Sequence, residues 1–488
     1  AVLVKDIDKN AQTLSALFAG DETFILRPVQ GRGKDMRFFL AYCGGMIDQK
    51  FVGESIIKPL IELEIRARGE DTADAVISQA LFAHGPRATA QFADIVESVA
   101  GGDAVVLLPG TDRALVIPAQ GIPGRGVTEP DNEKVLSGPK EGFVEALINN
   151  IALVHRRLRT NDLKMKFFAL GERSRTRVCV CYLESLVTRD ILDELNRRLG
   201  KVSIDGVMDA NGLAELIADN RLSPFPSVGF TERPDVTAAN LLEGRIALFV
   251  DGTPVVLTLP YLFIENFQSN EDYYMNFFYT SFSRILRMLG FALTVTVPGA
   301  YAALMAYRHD IMPTPLLINL LWERQSAPLP MALELIVMLI VFEILRETGI
   351  RMPTGVGQAM SVVGGLVLGQ AAVSAHLSSS VVIIVVSLTG MTSLLVQRLN
   401  AAALAGRYLV LGLSLVLGLP GFITGCALIL AHILSLRSFG VSQTTLSGQL
   451  RLQSIKDILF RAPMWKMDER PPFAADRRRR APSAGKRR

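Results

Sequence analysis

The stretch "VFEILRETGIRMP", Val341 to Pro353, sets Glu343, Arg346, Glu347 and Arg351 at the end of an apolar run, and Arg351 is followed by 46 residues without an Asp, Glu, Lys or Arg. On a helix, Glu343 and Arg346 are three apart and Glu347 and Arg351 four apart with the acid first, spacings at which side chains face one another. Ionised groups in a bilayer are costly unless paired, hydrated or turned away from lipid. Two readings stay open. One is a self-neutralised helix end at the cytoplasmic interface. In the other, Glu343 and Glu347, about 40° apart on the helical wheel, face a water-filled conduit or a neighbouring subunit. Glu334 lies about 180° from Glu343 by the same count, so the three carboxylates do not share one face and one of them has another role.

A second candidate surface follows. Gln358, Ser361, Gly365, Gly369, Ala372 and His376 fall within about 80° of each other at helical spacing, a small and polar stripe. Gly365 and Gly369 form the Gly-x-x-x-Gly spacing that allows close helix contact; a pore lining or gate seam is the alternative, and His376 would then respond to pH. Enzyme chemistry finds no support. The glycines of "QGRGKD" and "GIPGRG" lack phosphate-loop spacing and context. His84, His155, His309, His376 and His432 offer no two on one helical turn, so no metal is expected. Cys43, Cys179, Cys181 and Cys426 fit neither a disulfide framework nor a zinc pattern and read as buried thiols. No cofactor and no nucleic-acid partner are expected.

The elements that would carry these residues are set by charge. Met288 to Tyr307, Met352 to Gln397 and Tyr408 to Leu436 are 20, 46 and 29 residues without an acidic or basic side chain, and a bilayer core takes about 20 apolar residues per helix. Residues 1–280 mix charges with short apolar runs. The N-terminal "AVLVKDIDKN" lacks the pattern of a secretory signal, so this part is expected in the cytoplasm. Basic residues flanking spans set orientation. Six segments, near 285–307, 331–346, 356–376, 380–397, 407–419 and 421–436, put Arg284, Arg287, Arg346, Arg351, Arg398, Arg407 and Arg437 on the cytoplasmic side together with both termini. The second segment, at about 24 Å of helix against roughly 30 Å of hydrocarbon, is short enough to re-enter; Pro420 is short of a decision between a turn and a kink in one long helix. Four crossings is the fallback. Seven of the last twelve residues are basic, a pattern that attracts anionic lipid.

The soluble part repeats itself. "DMRFFLAYCGGMIDQKFVGESIIKPL" from Asp35 matches "RTRVCVCYLESLVTRDILDELNRRL" from Arg175, pairing Tyr42 with Tyr182; "AVVLLPGTDRALVIP" from Ala104 matches "IALFVDGTPVVLTLP" from Ile246. Each first segment is a strand, a turn and a helix; each second is a strand, a Gly turn and a strand. The predicted fold class is α+β with a membrane α-helical part: two tandem cytoplasmic α/β subdomains, residues 1–130 and 131–280, a transmembrane helical domain 281–437 of four to six segments, and a basic, partly disordered tail 438–488.

From "KVLSGPKEGFVEALINNIALVHRRLR" (Lys134 to Arg159) onward the chain resembles the A subunits of spore germinant receptors, the GerA family. "SPFPSVGFTERPDVTAANLLEGRIALFVDGTPVVLTLP", "FEILRETGIRMPTGVGQAMSVVGGLVLGQAAV" and "FRAPMWKMDERP" are similar to that family's recognisable segments, in its order and spacing; the basic extension from Arg477 lies outside the pattern. The resemblance implies a non-enzymatic subunit of the inner spore membrane that works with receptor B and C subunits, self-associates as a pentamer and releases ions when nutrients are sensed. A spore VAF-type paralogue and a non-conducting scaffold are the alternatives.

Overall fold

The computed structural model describes residues 2–32, 36–62, 85–121, 129–130, 132–135, 137–325, 328–351, 365, 367, 369–444, 457, 460–463, 467 and 469–476. Ten strands of the N-terminal half form two five-stranded sheets. The first joins β1 Phe24–Gln30, β2 Arg37–Cys43, β3 Arg87–Thr89, β4 Ala104–Leu107 and β5 Ala114–Ile117 in the order β1-β2-β4-β5-β3. The second joins β6 Leu163–Leu170, β7 Thr176–Leu183, β8 Gly229–Thr231, β9 Ile246–Val250 and β10 Val256–Leu259 in the order β6-β7-β9-β10-β8. All pairings are antiparallel.

The repeat read from sequence holds at the level of register. Phe39 pairs with Leu107 and Leu40 with Val106 in the first sheet; Cys179 pairs with Phe249 and Val180 with Leu248 in the second. Gly110 and Gly252 carry the tight β4–β5 and β9–β10 turns, both with positive φ, where a side chain would be strained. The helices preceding the first strands correspond too. Asn10 of helix Ile7–Leu17 and Asn150 of helix Leu147–Arg157 are both buried, and each brackets the backbone of the residue six positions earlier, Val4 and Val144.

Along β7, Val178, Val180 and Tyr182 enter one core while Cys179, Cys181 and Leu183 enter another. Along β2, Phe38 and Leu40 alternate in the same way with Phe39, Ala41 and Cys43. Strands with both faces covered read as continuous apolar runs, because alternate side chains point to opposite layers. Burial holds the thiols of Cys43, Cys179 and Cys181 well above the usual thiol range, so they pack as small apolar groups.

The C-terminal half is helical. Among the described residues, Phe277–Tyr307 and Asn400–Leu417, the latter extended by the turn Gln397–Leu399, are the two helices long and apolar enough to cross a membrane by length and composition. Ser380–Leu394 and Leu419–Ser435 are apolar but have 15 and 17 residues. Met331–Arg351 has 21 residues and includes all of Glu334, Glu343, Arg346, Glu347 and Arg351. The expected boundaries therefore change. The segment expected to stop at 346 runs to Arg351, because its charges are paired in place. Arg284 and Arg287 lie inside the first helix rather than before it, and Arg407 lies within Asn400–Leu417 rather than at a flank. A further helix, Thr314–Gln325, falls where no segment was expected. Pro420 is in the first turn of a separate last helix, and Gly418 makes the break at φ 67° with Tyr307 packed against its Cα.

The C-terminal segment folds back on the second sheet. Phe439 and Phe473 join its core, Ser438 bonds to Ser227 and Tyr261, and the Ala475 N–H donates to the Leu186 carbonyl at 2.9 Å.

Candidate functional site

The direction of Met331–Arg351 follows from its neighbours. Glu334 meets Ser378 and Ser379 at the start of helix Ser380–Leu394, and Phe342 lies over Gly390 near that helix's end. The two helices therefore run the same way. Leu395, just beyond, packs on Gly290 in the first half of the first long helix, so the Arg351 end points toward the sheet-bearing half.

The four charges of "VFEILRETGIRMP" form two pairs of different kinds, and one pair takes a further partner from another helix. Glu347 Oε1 accepts from Arg351 Nε at 2.7 Å, with side chains 57% and 78% exposed. That pair is the self-neutralised helix end. Glu343 is not: one oxygen pairs with Arg346 at 2.6 Å, and the other accepts from Arg407 Nη2 on helix Asn400–Leu417. Arg407 is buried, seven residues into its helix, about 10 Å from the helix start. A guanidinium at that depth needs a counter-charge, because its desolvation costs several kcal/mol by order of magnitude. Glu343 supplies it, and sequence reasoning missed this partner. The available signal was an arginine set in "AALAGRYLVL", where flanking residues are apolar on both sides.

Glu334 has the separate role that the helical wheel requires. Its Oε1 accepts from Ser378 Oγ at 2.9 Å, Ser379 N at 2.5 Å and Ser379 Oγ at 2.7 Å. An anion at a helix N-terminus is stabilised by the free N–H groups and the helix dipole, so this carboxylate caps Ser380–Leu394. The stripe is only partly visible: Gln358 and Ser361 lie outside the described residues. Among the described residues, nothing lies within 4 Å of where a side chain would stand at Gly365 or Gly369. His376 is exposed, with φ 53°; it ends the helical turn before it, where Leu377 N donates to Ala372 O at 2.8 Å.

An open cleft of about 650 Å³ adjoins the Glu343 centre, between Met331–Arg351 and Leu404 and Tyr408 of the neighbouring helix. Among the described residues no three His, Cys, Asp or Glu side chains converge as metal ligands would.

The joint between sheets and helices is the second feature that sequence reasoning missed. Arg284, fully buried near the start of the first long helix, binds Asp272 at 2.8 Å and both the carbonyl and the carboxylate of Asp457 at 2.8 Å; Asp272 also holds Arg287. Arg398 pairs with Glu133 at 2.5 Å. Ser223 Oγ lies 2.9 Å from His432 Nε2 at the end of the last helix, beside a cluster of Phe225, Phe263, Phe267 and Phe291. Arg245, buried at the turn into β9, donates to Pro260 O at 2.8 Å and Glu265 at 2.6 Å. Burial raises Glu265 above the usual carboxylate range, and Arg245 pulls it back.

The comparisons with known proteins join these parts. The sequence pattern described as Bacillus/Clostridium GerA spore germination protein matches residues 12–473, which covers both sheets, the helices and the returning segment. The chain is 34% identical to spore germination protein KA of Bacillus subtilis (strain 168), over 94% of this chain and 85% of that protein. It is 32% identical to spore germination protein A1 of the same organism, over 88% of each chain. Identity is also 32% to the uncharacterized membrane protein YfkQ of that organism, over 96% of this chain and 91% of the other. A solved structure, the N-terminal domain of the A subunit of the Bacillus megaterium spore germinant receptor GerK3, covers 54% of this chain and 98% of its own at 25% identity and a TM-score of 0.42. With its family pattern spanning both halves and the segment that ties them, the chain belongs to the GerA spore germination protein family.

Proposed function

We propose that this chain is the A-type subunit of a germinant receptor in the inner spore membrane, which self-associates, works with B and C subunits and releases ions when nutrients are sensed. The observation that carries the reading is Glu343, a carboxylate held between Arg346 and Arg407 inside an apolar helix bundle. Charges of this kind in membrane helices mark ion paths or subunit contacts, and a pentameric arrangement would bring five copies around one axis. Topology supports it further. Residues 437–443 and 470–475 are bonded to the second sheet, so both ends of the helical half lie on one side and the number of crossings is even. Residues 1–130 and 131–280 are then two tandem cytoplasmic units, 281–437 the membrane domain and 438–488 a cytoplasmic tail.

Purified chain in liposomes tests this. The expected result is monovalent-cation efflux above that of empty liposomes, with altered cation preference in Glu343→Gln protein that still assembles. Efflux at the empty-liposome level from inserted, assembled protein would leave a scaffold.

A further inference from the structure

Glu343, Arg346, Glu347 and Arg351 line the cleft, and with Arg407 behind Glu343 the cluster holds more cation than its carboxylates neutralise. Three guanidinium groups, those of Arg346, Arg351 and Arg407, face two carboxylates, Glu343 and Glu347. The Nε atoms of Arg346 and Arg407 are buried without a hydrogen-bond partner among the described residues, and a buried unmet donor on a charged group is unfavourable until an acceptor reaches it. The rest of the wall is mostly apolar, Ile340, Ile344 and Leu404 with the Tyr408 ring, and the Thr348 hydroxyl is bonded to Ile344 O of its own helix. Surplus positive charge thus lies at the end of the cleft nearer the sheet-bearing half, and apolar surface continues away from it along the helix.

An occupant must match both halves of that wall. A free inorganic anion satisfies the arginines and leaves the apolar side chains bare; an acyl chain alone does the reverse. We infer that the cleft binds the headgroup of an anionic phospholipid, its phosphate turned to Arg346 and Arg351 and an acyl chain laid along Ile340, Ile344 and Leu404. Basic pockets between membrane helices on the cytoplasmic side suit such headgroups. This rests on the reading that the helical half lies in a bilayer. The site is distinct from the basic residues beyond Arg477.

The test uses the full chain reconstituted in vesicles of phosphatidylcholine alone or mixed with phosphatidylglycerol. Retention of the protein in both vesicle types after an alkaline wash reports the membrane reading by itself; loss from both overturns that reading and this inference with it. Lipid retained through detergent extraction and counted by native mass spectrometry reports the site. The expected result is a preference for phosphatidylglycerol that weakens about fivefold in Arg351→Gln and again in Arg346→Gln. Arg351 is a surface side chain, so its variant remains readable where the second fails to fold. The preference persists without residues 477–488 and in excess inorganic phosphate. Protein retained equally in both vesicles with no lipid preference overturns the site, as does a preference that both variants keep, one that vanishes with the tail alone, or one that inorganic phosphate abolishes.

Discussion

The two sheets are copies in strand order and register, yet different things are built on them. After β4's preceding helix, Gly102 turns the chain with positive φ and Asp103 follows; at the matching place Gly244 does the same and Arg245 follows. Asp103 hydrogen-bonds Gln120 of its own half at 3.4 Å. Arg245 reaches out to Pro260 and Glu265, on the path into the first long helix. The second sheet also takes Phe439 and Phe473 into its core and presents Ser223 to His432. The same strand order and register are built twice; a handful of side chains makes the second copy the joint to the helices.

The largest expected effect separates those matched positions. Arg245→Ala leaves the Glu265 carboxylate buried without its cation and is expected to cost about 3–5 kcal/mol, whereas Asp103→Ala is expected to stay within about 1 kcal/mol. Denaturant unfolding checks both, and equal costs would break the comparison. A smaller pair tests the likeness instead. Asn10→Ala and Asn150→Ala each strip two backbone bonds from a buried bracket and are each expected to cost about 1–3 kcal/mol. Similar costs by thermal unfolding, with cation flux altered by Asn150→Ala alone, would sharpen the account; equal flux changes would argue that both copies drive the helices.

The smallest effect concerns where the copies meet. Thr23 Oγ1 lies 3.4 Å from Nε2 of buried His155, and Thr23 also donates to Asp21 at 2.7 Å. Burial lowers the pKa of His155, with Asp21 opposing. The unfolded chain therefore binds a proton more readily than the folded one: the stability is fully present above about pH 6.5 and is lost as pH falls below it, by at most about 1.4 kcal/mol per pH unit. Melting curves between pH 8 and pH 5 are expected to show this loss in the parent and a flatter profile in His155→Gln. An unchanged slope in the variant would assign the pH response to other groups.

The scaffold was legible because local patterns repeat: apolar runs for strands covered on both faces, and Gly110 and Gly252 in matching turns. Asn10 and Asn150 sit 140 residues apart and were legible too, but a search weighted toward apolar strands passes over a polar helix residue. The helical half was less legible. Glu343 with Arg346 and Glu347 with Arg351 could be paired by spacing, because helix neighbours are local. Arg407 could not: the apolar residues on both sides of it signal burial, but its partner is 64 residues away in sequence and no local pattern names it. Thr314–Gln325 was missed because its apolar run is short and ends in charge. The Arg284, Asp272 and Asp457 network depends on a chain return that no periodicity encodes.

The claim that the second copy is the joint to the helices is tested most directly at the contact between Ser223 and His432. Ser223→Cys/His432→Cys protein, oxidised to a disulfide that mass spectrometry verifies and then reduced, can be followed for cation flux in the same liposomes. The account predicts that flux is held at one level while the bond is closed and changes several-fold on reduction, with the single-cysteine variants indifferent to both treatments. The same flux with the bond closed and open would contradict it.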